Sequence, residues 1–339
     1  MLSKPTFPTT IHVSDRPNIE VQMRTSRVSS WVRNVFAAAI LAIAAGAVFG
    51  QARSTIGELR QVTITTEPRA RVWIDDVLYG TTSDAGSLKI STISPGRKVV
   101  RVRADGFKES QRTLLPTQSG IVSISLTPTT DAAELAYQEA ERLSNVDRGK
   151  AAAAYTRAAK LRPGYADAYI GLARIYAETS EITNAEKAIA AARRAKPGIS
   201  VASAIEGRLL KAVGEETKAV AAFKRAIREG SGFEPEAYTG LGLLYKEKAE
   251  ANAAEGEFEL ETANYSEAAK YLSTAIKQLS GAPDSVVLYQ LLGLVYEQQK
   301  KPEMAISVYK EFLRLFPGHP ESSAFESFIT QLKKQEAEQ

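Results

Sequence analysis

Residues 166–197, ADAYIGLARIYAETSEITNAEKAIAAARRAKP, decide how this chain is read. Tyr169, Leu172, Ala173 and Tyr176 recur at helical spacing, and Ala185, Ile189 and Ala192 recur again before Pro197. Proline lacks an N–H and its ring clashes with the preceding turn, so the second helix ends there. The unit is therefore a pair of short helices, and it is not alone. Pro163 and Pro197 stand 34 residues apart. Downstream, Ser203, Glu206, Gly207, Leu210, Ala219, Phe223 and Ala226 form a third unit. Tyr238, Leu241, Gly242 and Tyr245 open a fourth, and Tyr289, Leu292, Gly293, Tyr296, Ala305, Tyr309 and Pro317 make a fifth. Upstream, Ala140 to Pro163 with Ala151, Tyr155 and Ala158 is a first unit whose leading helix is degenerate.

The residue types have a physical logic. Small residues at the eighth and twentieth positions let two antiparallel helices approach closely, and Tyr or Phe at the eleventh and twenty-fourth fill the gaps between pairs. No pair buries its apolar face alone, so the stack is the folding unit. This spacing resembles the tetratricopeptide (TPR) pattern, W-x₂-L-G-x₂-Y…A-x₃-F…P. The resemblance implies an all-α TPR superhelix, an α-solenoid, over residues 132–317, with about five units. Asn264-Tyr265-Ser266-Glu267-Ala268-Ala269 resembles the opening of a second helix, yet Ala268 lies 14 residues late. The 14 extra residues, within 246–263, are close to four helical turns and keep helix register. It predicts either lengthened helices projecting from the stack or a charged loop at the hairpin tip. Residues 318–335, with Phe325, Phe328, Ile329 and Leu332 at helical spacing, predict a capping helix.

Residues 61–128 follow another period. Val62–Thr65, Val72–Ile74, Val99–Arg103 and Ile121–Leu126 alternate at period two between turn residues such as Asp75-Asp76, Gly80, Ser94-Pro95-Gly96, Asp105-Gly106 and Ser119-Gly120. This predicts a small antiparallel β-sandwich. Glu67-Pro68-Arg69-Ala70, Val72-Trp73-Ile74-Asp75-Asp76, Gly80-Thr81-Thr82, and the run from Leu88 through Pro95-Gly96 and Val99–Val102 to Gly106-Phe107 resemble the PEGA domain, a bacterial surface-associated β-module. Two of its turn glycines are missing, and Asp76 can adopt the left-handed conformation in place of one. Asp75, Asp76 and Asp84 read as turn caps rather than a calcium site. Trp73 reads as core packing rather than a ligand platform, and Arg101 and Arg103 as the solvated side of their strand.

Ahead of these domains, residues 1–52 form a leader. Arg24, Arg27 and Arg33 precede an uncharged apolar core, 35–49, and Gly50-Gln51-Ala52 follows. That is the layout of a secretory signal with cleavage after Ala52; uncleaved, it is an inner-membrane anchor. The polar residues before Met23 fit no targeting pattern, so Met23 competes with Met1 as the start. Either outcome places the domains outside the cytoplasm, periplasmic or at the cell envelope, or secreted once cleaved. The only membrane contact expected is through the uncleaved segment.

Composition excludes several function classes. There are no cysteines and two histidines, His12 and His319, so no catalytic residue, cofactor site or metal site is assigned. The pI near 9 does not signal nucleic acid. Residues 53–128 carry eleven Lys/Arg against seven Asp/Glu and residues 129–339 carry 27 against 30, so no concentrated basic stripe remains. Neither a privileged carboxylate pair nor a Gly-rich phosphate loop marks an enzyme.

The expectation is therefore a non-catalytic exported scaffold whose groove binds a peptide or partner protein. The β-domain would contact the cell envelope or a partner. The alternative is an envelope- or glycan-attachment protein with the repeats as a spacer. The repeat register projects Ile170, Arg174, Arg208, Lys211, Leu243, Lys246, Leu294 and Glu297 onto the groove. An acidic, partly hydrophobic peptide fits that set; ordinary solvated helix faces explain it equally well.

Overall fold

A computed structural model describes residues 60–338. The leader, with the signal or anchor helix expected of it, and the Ala52 cleavage position lie outside the described residues. Seven strands come first: β1 (Arg60–Thr65), β2 (Arg71–Ile74), β3 (Val77–Thr81), β4 (Ser87–Ile93), β5 (Lys98–Arg103), β6 (Ser110–Leu114) and β7 (Gly120–Ser123). They form two sheets, ordered β4-β1-β7 and β3-β2-β5-β6. Val62, Ile64, Ile90 and Val122 from one sheet meet Val72, Ile74, Val100 and Leu114 from the other in a single buried cluster. The sandwich is not wholly antiparallel, because β7 pairs with β1 in parallel. The cause is the path: β6 ends on the far edge of the second sheet, and the chain crosses to the first before entering β7. At the β2–β3 hairpin Asp75 and Asp76 both take positive φ, 48° and 64°, the paired left-handed geometry of a tight type I′ turn.

Eleven helices follow: α1 (Ala132–Leu143), α2 (Arg148–Leu161), α3 (Ala166–Glu178), α4 (Ile182–Ala195), α5 (Ser200–Ala212), α6 (Glu216–Glu229), α7 (Pro235–Glu255), α8 (Phe258–Leu279), α9 (Val286–Gln298), α10 (Pro302–Leu315) and α11 (Ser322–Ala337). Asp131 caps α1 by accepting from the Ala133 and Glu134 amides, and Asp147 caps α2 through Lys150. Five helix pairs and a terminal cap result. The small residues do what close approach requires. A Cβ on Gly171 would meet the Tyr155 ring at 2.3 Å, and one on Gly293 the Tyr309 ring at 2.0 Å. The insertion becomes helix rather than loop: α7 and α8 run 21 and 22 residues, against 12–14 for the other paired helices, and only Gly256 and Glu257 separate them. Among the described residues no helix is long and apolar enough to cross a membrane.

The β-domain packs on the array at two places far apart in the chain. At one, the α8–α9 turn lies on it. Tyr79 donates its hydroxyl to the Ser280 carbonyl (3.0 Å). Gly281, at φ +80°, sits so near Thr92 that a Cβ would fall 2.6 Å from its hydroxyl oxygen. The sandwich core continues here into Leu279, Ala282, Leu288 and Leu292. At the other place, α1 meets β2, β5 and the turn after β5. Arg71 and Arg103 both bond Glu141, at 2.6 and 2.9 Å. Gln138 accepts from the Gly106 amide and donates to the Phe107 carbonyl, each at 2.8 Å.

These contacts correct the reading of Arg103. Arg103 is 4% exposed rather than solvated, held by Glu109 (2.6 Å) and Glu141 and lying over the Tyr137 ring. Burial works against its charge, but Tyr137, Glu141 and Glu109 outweigh that and keep the guanidinium protonated. Trp73 is buried, and three cations lie over its ring: Arg101 at 4.3 Å from the centroid, Arg103 at 5.7 Å and Arg71 at 5.8 Å. The three turn acids do not converge. Asp75 pairs with Lys98, Asp76 with Arg101 and Asp84 with Arg69.

Candidate peptide groove

The leading helices α1, α3, α5, α7 and α9 carry the groove positions. Arg174 on α3 and Arg208 on α5 occupy the ninth position of consecutive units, so one repeat separates them along the stack. The structure brings both onto one carboxylate. Glu236, in the first turn of α7, accepts from both Arg174 Nη atoms (2.5 and 3.3 Å) and from Arg208 Nη1 (3.2 Å). Proline at position 235 starts that helix, and an acid in its first turn also suits the positive end of the helix dipole. Burial opposes charge on Arg174, but the charge and hydrogen bonds of Glu236 overcome it and raise its pKa.

The remaining groove positions divide. Lys211 pairs with Glu247 across to α7 (2.6 Å), and Lys246 pairs with Glu250 one turn along its own helix (2.6 Å). Ile170 and Leu243 are half-buried, and Leu294 is exposed. Glu297 is drawn elsewhere, accepting the Tyr309 hydroxyl at 2.6 Å. Arg174, Arg208 and Lys211 thus share a charged patch that α7 completes, while Glu297 serves its own helix pair.

Sequence reasoning missed the acids. Two arginines at one repeat position, followed by an acid in the next leading helix, was the available signal for Glu236. Glu234 gave none. It is 6% exposed beside the start of α7, and burial pushes its carboxyl up to about 7. The Ser200 hydroxyl and Arg174 pull it down, whereas Glu236 and Asp76 push it further up.

Two segments of the chain, residues 143–206 and 254–320, match the tetratricopeptide repeat family. Those two segments therefore carry tetratricopeptide repeats. No curated protein matches the chain. Among solved structures, yeast Tom70 is similar at 18% identity and TM-score 0.49, over 61% of this chain and 41% of that one. Pseudomonas aeruginosa pilF is similar at 23% identity and TM-score 0.40, over 51% of this chain and 69% of that one. YrrB, titled a TPR protein with an unusual peptide-binding site, is similar at 21% identity and TM-score 0.34, over 61% and 94%.

Proposed function

Taking the tetratricopeptide repeats as premise, we propose that this chain is an exported, non-catalytic scaffold whose groove takes an acidic, partly hydrophobic peptide segment of a partner protein. Repeat arrays present extended surfaces suited to peptides and partner helices. One observation carries the reading: two guanidiniums share a single carboxylate at Glu236. One positive charge and several N–H donors are left over, and an arginine fork recognises a carboxylate in two-pronged fashion. Ile170 and Leu243 supply apolar contact beside it.

The β-domain is proposed to contact an envelope component or a partner from its free surfaces. A glycan-attachment role with the repeats as spacer draws less support, because the Trp73 ring that would stack on a sugar is covered by Arg101. Export rests on the leader's charge and apolar core. N-terminal sequencing of the protein from an envelope fraction is expected to begin at Arg53; an intact 35–49 segment would establish an anchor instead.

The groove is tested by capturing partners from an envelope extract and titrating the bound protein against Arg174→Ala/Arg208→Ala. Binding is expected to weaken in the variant and to fall as salt rises, because exposed charges are screened over ~8–10 Å. A partner indifferent to both changes would sink the groove assignment.

A further inference from the structure

The lengthened α7–α8 hairpin ends in Glu255-Gly-Glu-Phe-Glu-Leu-Glu261. Phe258 and Leu260 stand in the first turn of α8, 69% and 52% exposed. Glu255, Glu259 and Glu261 make no ion pair among the described residues. A projecting tip with an aromatic and a leucine set among glutamates is costly to leave in water, and nothing in its own hairpin covers it.

The same molecule carries the complementary shape. Between α6 and α8 lies an open cavity of about 410 Å³. Ile227, Tyr238 and Tyr271 form its floor, and Lys224, Arg228 and Lys270 its rim. Lys224 and Arg228 make no ion pair among the described residues, whereas Lys270 pairs with Glu267 on its own helix (3.1 Å) and lies over the Tyr271 ring at 5.3 Å. Tyr271 is fixed from behind by stacking on Tyr245 at 5.5 Å. An acidic tip with two apolar side chains meets a basic rim with an aromatic floor.

We infer that the α7–α8 tip of one copy docks in the α6–α8 groove of another, so that the chain associates head to tail. A molecule cannot fill its own groove with its own tip. Phe258 and Lys270 lie on one continuous helix, 12 residues and therefore ~18 Å apart. Copies joined head to tail in this way propagate into open chains or close into rings. A hairpin tip buries little area, which makes the association weak and salt-sensitive.

Sedimentation velocity of the full chain over a concentration series, up to about 1 mM, tests this. Species larger than the monomer are expected to grow with concentration and to shrink at high salt. The tip variant Phe258→Ala/Leu260→Ala and the groove variant Lys224→Glu/Lys270→Glu change exposed side chains, so both fold, and each is expected to weaken association by about tenfold or more. Mixing the two variants is the decisive arm. The groove of the first accepts the tip of the second, giving a heterodimer and nothing longer. A wild-type chain monomeric throughout overturns the inference, and so does association undiminished in either variant or a mixture that yields no heterodimer. Binding of the tip only to some other, basic protein gives that monomeric result and overturns it equally.

Discussion

Replacing Gly240 by alanine should destabilise the array, although the same change in an ordinary helix stabilises it. Phe223 is fully buried with its ring held between two glycines, Gly207 of its own pair and Gly240 of the next. A Cβ on Gly240 would lie 2.3 Å from Phe223 Cζ and 2.4 Å from Cε1. Ordinary carbon contact needs ~3.5–4.0 Å, so the ring must move by more than ~1 Å. It cannot retreat, because a Cβ at Gly207 would already stand 2.6 Å from its other side. Overpacking of this kind costs ~1–3 kcal/mol, and a wedged ring belongs at the upper end. Alanine's better helix propensity returns ~1 kcal/mol. The net expectation is a loss of about 2 kcal/mol, a fall in Tm of roughly 4–8 °C for a domain of this size. Thermal melts by circular dichroism read it. Adding Phe223→Leu should restore part of the loss, so the double-mutant cycle is non-additive. A Tm that rises, as propensity alone demands, would refute the account of how neighbouring pairs interlock.

Three further outcomes are expected. In Gly242→Leu, the new side chain meets Leu272, whose Cδ2 lies only 2.7 Å from where a Cβ on Gly242 would stand; a stability loss of ~1–3 kcal/mol or more is expected, and an unchanged melt would show the repeat register there to be wrong. Glu234 retains its proton in the folded state up to about pH 7, while the unfolded chain releases it near 4.5. Stability should therefore fall as pH rises between those values, by up to roughly 3 kcal/mol. Glu234→Gln should flatten that slope in urea melts taken across the window, and an identical slope in the variant would assign it to other groups. Glu141→Ala removes a shared partner of Arg71 and Arg103 and should cost about 3 kcal/mol, the low end for a broken buried pair because Glu109 remains. A cost below ~0.5 kcal/mol, typical of a surface position, would mean that α1 does not hold the β-domain.

The repeats were legible because their residues obey a local rule. Spacing alone predicted Gly207, Gly293 and Tyr309 in close-packing roles, and the helical register of the insertion allowed the long α7 and α8. What escaped were contacts between segments distant in sequence. The leading helix of the first unit looked degenerate because Gln138 and Glu141 stand where an ordinary unit is apolar. They face the β-domain, and polar residues suit that surface. Arg103 looked solvated because an alternating strand shows which face a side chain takes, not what covers that face. Its partner Glu141 lies 38 residues downstream. Register put Arg174 and Arg208 at one repeat position, whereas the acid that joins them sits in the following unit.

The contact between Tyr79 and Ser280 spans 201 residues of chain. On a ribosome adding ~5–20 residues per second, the sheet is made about 10–40 s before the turn that closes against it. Throughout that interval Tyr79, Thr92 and the end of the sandwich core face solvent, and the repeats emerge one pair at a time with nothing to fix their far end. Arrival of Gly281 joins the oldest part of the molecule to one of its newest. Repeat arrays usually unfold piecemeal from their ends, as stability summed over neighbours allows. Here the loop is closed, so loosening the pairs between α1 and α8 must also break the tie at the β-domain. A chain cut after Gln278 would lose more than its last helices: it would leave that tie unmade and return the array to piecemeal unfolding.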